Sequence, residues 1–134
     1  NYETVILLNV IQHLEEPLHC LNEIKKILNS NGTFIGSAAF SHCYHPSPFD
    51  YYRFSHMAIK HFLKKVGFHN IKVYKIGSGL FSSSLHHLIR ALRVKPLVFI
   101  FWLIIIYMDK ALDFLYPNHR EIFYIGTVFE AVKK

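Results

Sequence analysis

Residues 7–40 read LLNVIQHLEEPLHCLNEIKKILNSNGTFIGSAAF, and the succession of patterns in them decides the fold. The stretch opens inside a short apolar run, TVILLN at 4–9, which predicts a strand buried on both faces, as in parallel sheets. Glu15, Glu16 and Pro17 follow where the first turn of a helix favours acid and a fixed φ. Leu14, Leu18, Leu21, Ile24 and Leu28 then recur at helical spacing, until NSNG at 29–32 brings turn chemistry. TFIGSAAF at 33–40 reads as a second buried strand, ending in small residues.

Beyond it stands an unusual loop, HPSPFDYYRFS at 45–55, with two prolines, an acid, an arginine and bulky aromatics. Ser55 is placed to cap a helix whose apolar face is Ile59, Phe62, Leu63 and Val66, with Gly67 as its stop. NIKVYKI at 70–76 reads as a strand, residues 82–116 as helical, and EIFYIGTVFEAV at 121–132 as a final strand. Strands alternating with helices argue an α/β layered fold with a mainly parallel sheet. In such folds ligands bind beyond the carboxyl ends of the strands. That rule selects NVIQH at 9–13 and the loop at 45–55.

At 134 residues the chain is long enough for one modest core. Its 51% apolar and 18% charged content excludes disorder. The net charge of +6 favours anionic partners, but no block of five basic residues forms, so a nucleic-acid arm is not expected. Cys20 and Cys43 do not make a disulfide framework, which fits a reducing cytoplasm. Asn stands at position 1 and a strand-like run begins at once, so the chain reads as a fragment or a processed product.

The stretch at 7–40 resembles the second half of class I S-adenosylmethionine-dependent methyltransferases, of the type 11-like kind. The matching features are the His-containing turn Asn9–His13 after a strand, the Glu23-Ile24 pair, Leu28 and Gly32. The loop at 45–55, followed by HFLKKVGFHNIKVY, is similar to a subgroup with a His-x-x-Pro-x-Asp-Tyr-Tyr-Arg loop. The likeness covers roughly residues 3–80, with a weaker match at 121–133. It implies a partial Rossmann-like sheet with the family's strands in the order 4-5-7-6, the last antiparallel, and a helical apolar insertion at about 82–116. It further implies that residues 1–134 are the C-terminal half of a methyltransferase domain, without the family's glycine-rich turn and ribose-binding acid.

Under the resemblance Asn9, Val10 and His13 would meet S-adenosylmethionine; on their own they read first as a strand-to-helix turn capped by the histidine. His45 or Asp50 could accept a proton from an acceptor, while Tyr51 and Tyr52 line its pocket and Arg53 holds an anionic group. The opposing reading is internal, with Asp50 paired to Arg53 and the tyrosines packed on the sheet edge. His42, Cys43, His45 and His56 crowd together, yet no Cys-x-x-Cys pair occurs, so no metal is expected. Cys43 has no base that the sequence can name.

The apolar run LVFIFWLIIIYM at 97–108 is short of the ~20 residues a spanning helix needs. It reads either as a covered core or interface helix or as a peripheral membrane element with Arg90, Arg93 and Lys95 as a basic shoulder. Two functions follow. One is a methyltransferase fragment acting on a small-molecule, lipid-linked or glycan acceptor. The other is a degenerate, non-catalytic module that docks a partner, a membrane or a second copy through 97–108. The localisation expected is cytoplasmic, with at most peripheral contact at a membrane.

Overall fold

A computed structural model describes residues 1–46, 48–77, 79–92 and 98–134, except for the side chains of 89–92 and 98–100. The elements run β1 (Tyr2–Leu8), a single 3-10 turn (Ile11–His13), α1 (Pro17–Ile27), β2 (Leu28–Ala39), α2 (His56–Val66) and β3 (Phe68–Ile76). Then come α3 (Leu80–Leu92), α4 (Val98–Leu115), a short helix α5 (His119–Ile122) and β4 (Gly126–Lys133).

The four strands lie in the order β1-β2-β4-β3. β1 pairs parallel with β2, and β4 runs antiparallel to both β2 and β3. This is the order 4-5-7-6 with an antiparallel last strand, together with the apolar helices α3 and α4. One face of the sheet carries Phe34, Ala38, Phe68, Phe129 and Ala131, and these form a continuous core with Leu21 and Ile24 of α1 and Ile59 and Leu63 of α2. Removing such a side chain from water contributes roughly 1.5–3 kcal/mol, which explains why the spacing in these two helices predicted them well.

Both ends of α2 form as their residues dictate. Ser55 Oγ accepts the amide hydrogen of Ala58 at 3.2 Å. Gly67 takes the left-handed φ of +89° that a side chain disfavours, and its amide closes on Lys64 O.

Three expectations need correction. β1 is not buried on both faces: it is the edge of the described sheet, with Ile6 61% and Leu8 57% exposed. Only Val5 and Leu7 pack against the core, because the described helices α1 and α2 cover one face alone. NSNG does not separate α1 from the second strand, since β2 begins at Leu28. The turn chemistry appears instead as an irregularity within the strand, between the pairs Tyr2↔Leu28 and Thr4↔Thr33, with Asn31 at φ +63°. The last strand starts at Gly126, not Glu121; residues 119–122 close a helical turn in which Phe123 N donates to His119 O.

The helical segment is less covered than an all-round apolar sequence leads one to expect. Phe101 is 49%, Ile104 51% and Tyr107 69% exposed on α4. Among the described residues no helix is long and apolar enough to cross a membrane. Arg93, Lys95 and Leu97, and the side chain of Arg90, lie outside what is described, so the basic shoulder does too.

Candidate active site

β1, β2 and β3 all point their carboxyl ends to the same edge of the sheet, and a cavity of about 370 Å³ opens there. Asn9 follows β1, Ala38 and Ala39 end β2, Ile76 ends β3, and Ile125 and Gly126 lead into β4. Above this floor stand His13, His42, His45 and His86, with Asp50 and Arg53 at the wall.

Asn9 adopts a left-handed φ of +53°, a conformation that asparagine tolerates better than most residues. Its amide donates to Ser37 Oγ at 3.0 Å, and Ser37 Oγ in turn donates to Asn9 Oδ1 at 3.0 Å. The ends of β1 and β2 are thus latched together. Gln12, buried to 4% exposure, donates from Nε2 to Asn9 O at 2.8 Å and fixes the 3-10 turn. Its Oε1 is buried and finds no hydrogen-bond partner among the described residues. Val10 is 40% exposed beside this polar frame.

The loop folds down onto the same turn. The amides of Tyr51 and Tyr52 both donate to Gln12 O at 3.1 Å, and His13 Nδ1 meets Phe49 O. A carbonyl can only accept, so His13 carries a proton on Nδ1. His42 Nδ1 likewise donates to Cys43 O at 2.9 Å.

Asp50 and Arg53 tie the loop internally. Arg53 Nη1 and Nη2 bind the two oxygens of Asp50, and Asp50 Oδ2 also accepts from His45 N at 2.7 Å. Arg53 spends its remaining donors on the carbonyls of His42, Cys43 and Tyr52. The guanidinium fork, helped by the His45 amide, holds the Asp50 carboxyl far below the usual carboxylate range. A carboxylate with a depressed folded pKa stabilises the fold above its unfolded value and loses that contribution as pH falls toward the folded one. The gap in urea midpoint between wild type and Asp50→Asn is therefore expected to stay flat from neutral pH to about 5 and to shrink below about pH 4. A gap that widens on acidification would show that this pair does not stabilise the fold.

The structure brings Asn9, His13, His45, Asp50 and Arg53 together around the cavity, with Val10 next to them in the turn. Tyr51 and Tyr52 are not among its lining residues. Tyr52 stacks on Phe54 at 5.2 Å and donates its hydroxyl to Glu15 O at 3.0 Å, on the α1 side of the loop. Sequence reasoning missed Gln12, His42 and His86 as lining residues. The turn carried a signal for Gln12, a polar residue between Ile11 and His13 beyond the end of a strand; nothing local marked His86, which arrives from α3. Among the described residues, no group of three or more His, Cys, Asp or Glu side chains is placed to hold a metal ion.

No protein-family model matches the sequence, and no curated protein matches it either. Solved structures do. Phosphoethanolamine N-methyltransferase 2 of Haemonchus contortus, in complex with S-adenosyl-L-methionine, matches 98% of this chain and 33% of its own, at a TM-score of 0.55 and 18% identity. A SAM-dependent methyltransferase of Archaeoglobus fulgidus matches 98% of this chain and 59% of its own, at 0.60 and 12%. The fold is that of the class I methyltransferases. The (4+2)-cyclase SpnF shares it, at a TM-score of 0.56 and 15% identity over 98% of this chain and 49% of its own. The methyltransferase fold therefore does not by itself name the reaction, which must be argued from the site. The chain spans a third to three-fifths of the length of these three structures.

Gly79 stands immediately before α3, at a helix N-terminus. Such a terminus can hold a phosphate or carboxylate. Here the carboxylate is already supplied by the chain. Asp109 of α4, 1% exposed, accepts from Phe81 N at 3.0 Å, from Ser82 N at 2.9 Å and from the Ser82 hydroxyl. Gly79, at φ +135°, leaves the space that this carboxylate fills; a Cβ there would collide with it. These contacts clamp α3 to α4.

Proposed function

We propose that this chain is the C-terminal, acceptor-side half of an S-adenosylmethionine-dependent methyltransferase domain, spanning 1–134 with α3 and α4 as its insertion. The observation that supports this most is the place of the cavity, at the carboxyl ends of three parallel strands and under a tied aromatic loop. The cavity volume of about 370 Å³ suits a small molecule, or the terminal group of a lipid-linked or glycan acceptor.

The residues present fit one side of the cofactor. The latched Asn9 backbone, the exposed Val10 and the His13 turn offer polar groups beside an apolar surface, as the methionine end of S-adenosylmethionine requires. When bound, the cofactor would supply an electrophilic methyl group. Asn9, Val10 and His13 would orient it, which matters because an in-line displacement gains much of its rate from alignment. His45 would take the acceptor's proton. Asp50 has both oxygens engaged by Arg53, so its part would be to hold the loop in place, with Arg53 equally committed to that task.

The place of β1 at the edge of the described sheet and the exposed Ile6, Leu8 and Tyr74 on the outer sheet face support the half-domain reading, since a neighbouring half would cover them. The described glycines build no cofactor turn, so the 134-residue chain alone is expected to bind S-adenosylmethionine weakly or not at all. Isothermal titration calorimetry decides this. Low-micromolar binding by the chain alone would show that no second half is needed and that the half-domain assignment is wrong.

A further inference from the structure

The methyltransferase reading leaves one reactive pair unused. Cys43 Sγ lies 3.3 Å from His87 Nδ1, and Nε2 of the same ring lies 2.9 Å from Ser41 Oγ. Ser41 is itself fixed, its amide donating to Ile125 O at 2.9 Å. The thiol and hydroxyl sit on the segment that follows β2, while the imidazole comes from α3, so the cluster exists only in the folded chain. All three residues are half-buried, which leaves the sulfur both held and reachable. Neither Cys43 nor His87 lines the cavity, although their neighbours His42 and His86 do.

A nucleophile within hydrogen-bond reach of a base that a third group orients is the arrangement by which a weak nucleophile is activated. We propose that Cys43 is a reactive thiol, with His87 as its base and Ser41 orienting the ring, and that it is a site of covalent modification by soft electrophiles, alkylating agents and peroxides alike. With Nε2–H donating to Ser41 Oγ, the lone pair on Nδ1 faces the sulfur. In alkylation the thiol proton passes to Nδ1 as sulfur attacks carbon; the C–S bond forms and the halide leaves with its bonding pair. With hydrogen peroxide, sulfur attacks one oxygen and the O–O bond breaks. The sulfur is oxidised to a sulfenic acid, and the departing hydroxide takes the proton from the imidazolium and leaves as water.

Cys20 is an internal comparison. It packs against the core, and burial pushes its thiol pKa up. The test treats the 134-residue chain with iodoacetamide at neutral pH and follows each cysteine by mass spectrometry. Cys43 is expected to react roughly tenfold or more faster than Cys20 and than free glutathione. His87→Ala should remove that advantage, and added imidazole should restore part of it, a rescue that a purely structural role for His87 would not show. Ser41→Ala should give an intermediate rate. After peroxide, a dimedone adduct is expected on Cys43 and not on Cys20. A Cys43 rate no higher than that of glutathione overturns the proposal, as does an unchanged rate in folded His87→Ala. Should His87→Ala not fold, the wild-type comparison with glutathione decides by itself.

Discussion

Asp109→Ala is expected to lower the melting temperature of the chain by roughly 10 °C or more, the largest effect of any single substitution outside the apolar core. Asp109 is buried and receives three donors, the amides of Phe81 and Ser82 and the Ser82 hydroxyl. Alanine leaves those donors, two of them in buried contacts, without their acceptor, at about 1–3 kcal/mol each. Three such losses near the low end of that range, roughly 3–5 kcal/mol in all, correspond to a shift of this size in a domain of such length. His119 Nε2 also lies 3.8 Å from Asp109 Oδ1, so α5 loses a neighbour as well. Asp109→Asn keeps an acceptor and should lie between the two. Thermal melts by circular dichroism check this. If Asp109→Ala melts within about 2 °C of wild type, α3 does not depend on this clamp.

Asp50→Ala is expected to free the loop from the sheet without unfolding the core. The amides of Tyr51 and Tyr52 on Gln12 O, and of Phe54 on Ala39 O, report its attachment. Losing a doubly bonded charged pair should speed their hydrogen exchange roughly ten- to a hundredfold, while amides of β2 and β4 stay protected. His45→Ala should leave these rates near wild type, because Asp50 holds only the His45 backbone amide. Equal exchange in wild type and Asp50→Ala would show that Gln12 O alone holds the loop. Under the proposed methyltransferase function, a loop freed in this way would misplace His45 relative to the acceptor, and losses of about a hundredfold in turnover are within reach of such misplacement.

The two variants separate what could be read along the chain from what could not. The pairing of Asp50 with Arg53 was visible as one of two readings of the loop, because three residues of separation and opposite charge already bring the groups within reach. The clamp at Asp109 was not. In sequence it is a flanking charge beside an apolar run, and its partners Phe81 and Ser82 lie more than 25 positions away.

By itself the sequence determined the elements whose signals are local. Period and caps placed α1 and α2, with Ser55 and Gly67 bounding α2 as their chemistry requires. The order of strands and helices led to the β1-β2-β4-β3 sheet through the resemblance that it carries. Tertiary structure alone decided matters of distance and cover. An apolar run such as TVILLN signals burial but not how many layers are present to provide it, so Ile6 and Leu8 proved exposed on an edge strand. Tyr51 and Tyr52 have the chemistry of pocket walls, yet the direction in which the loop closes on Gln12 O left them out of the cavity. His86 and His87 carried no mark in the chain, because an imidazole becomes a cavity wall or a base only when another segment is folded against it, and it is the packing of α3 on the loop after β2 that brings Cys43 its partner.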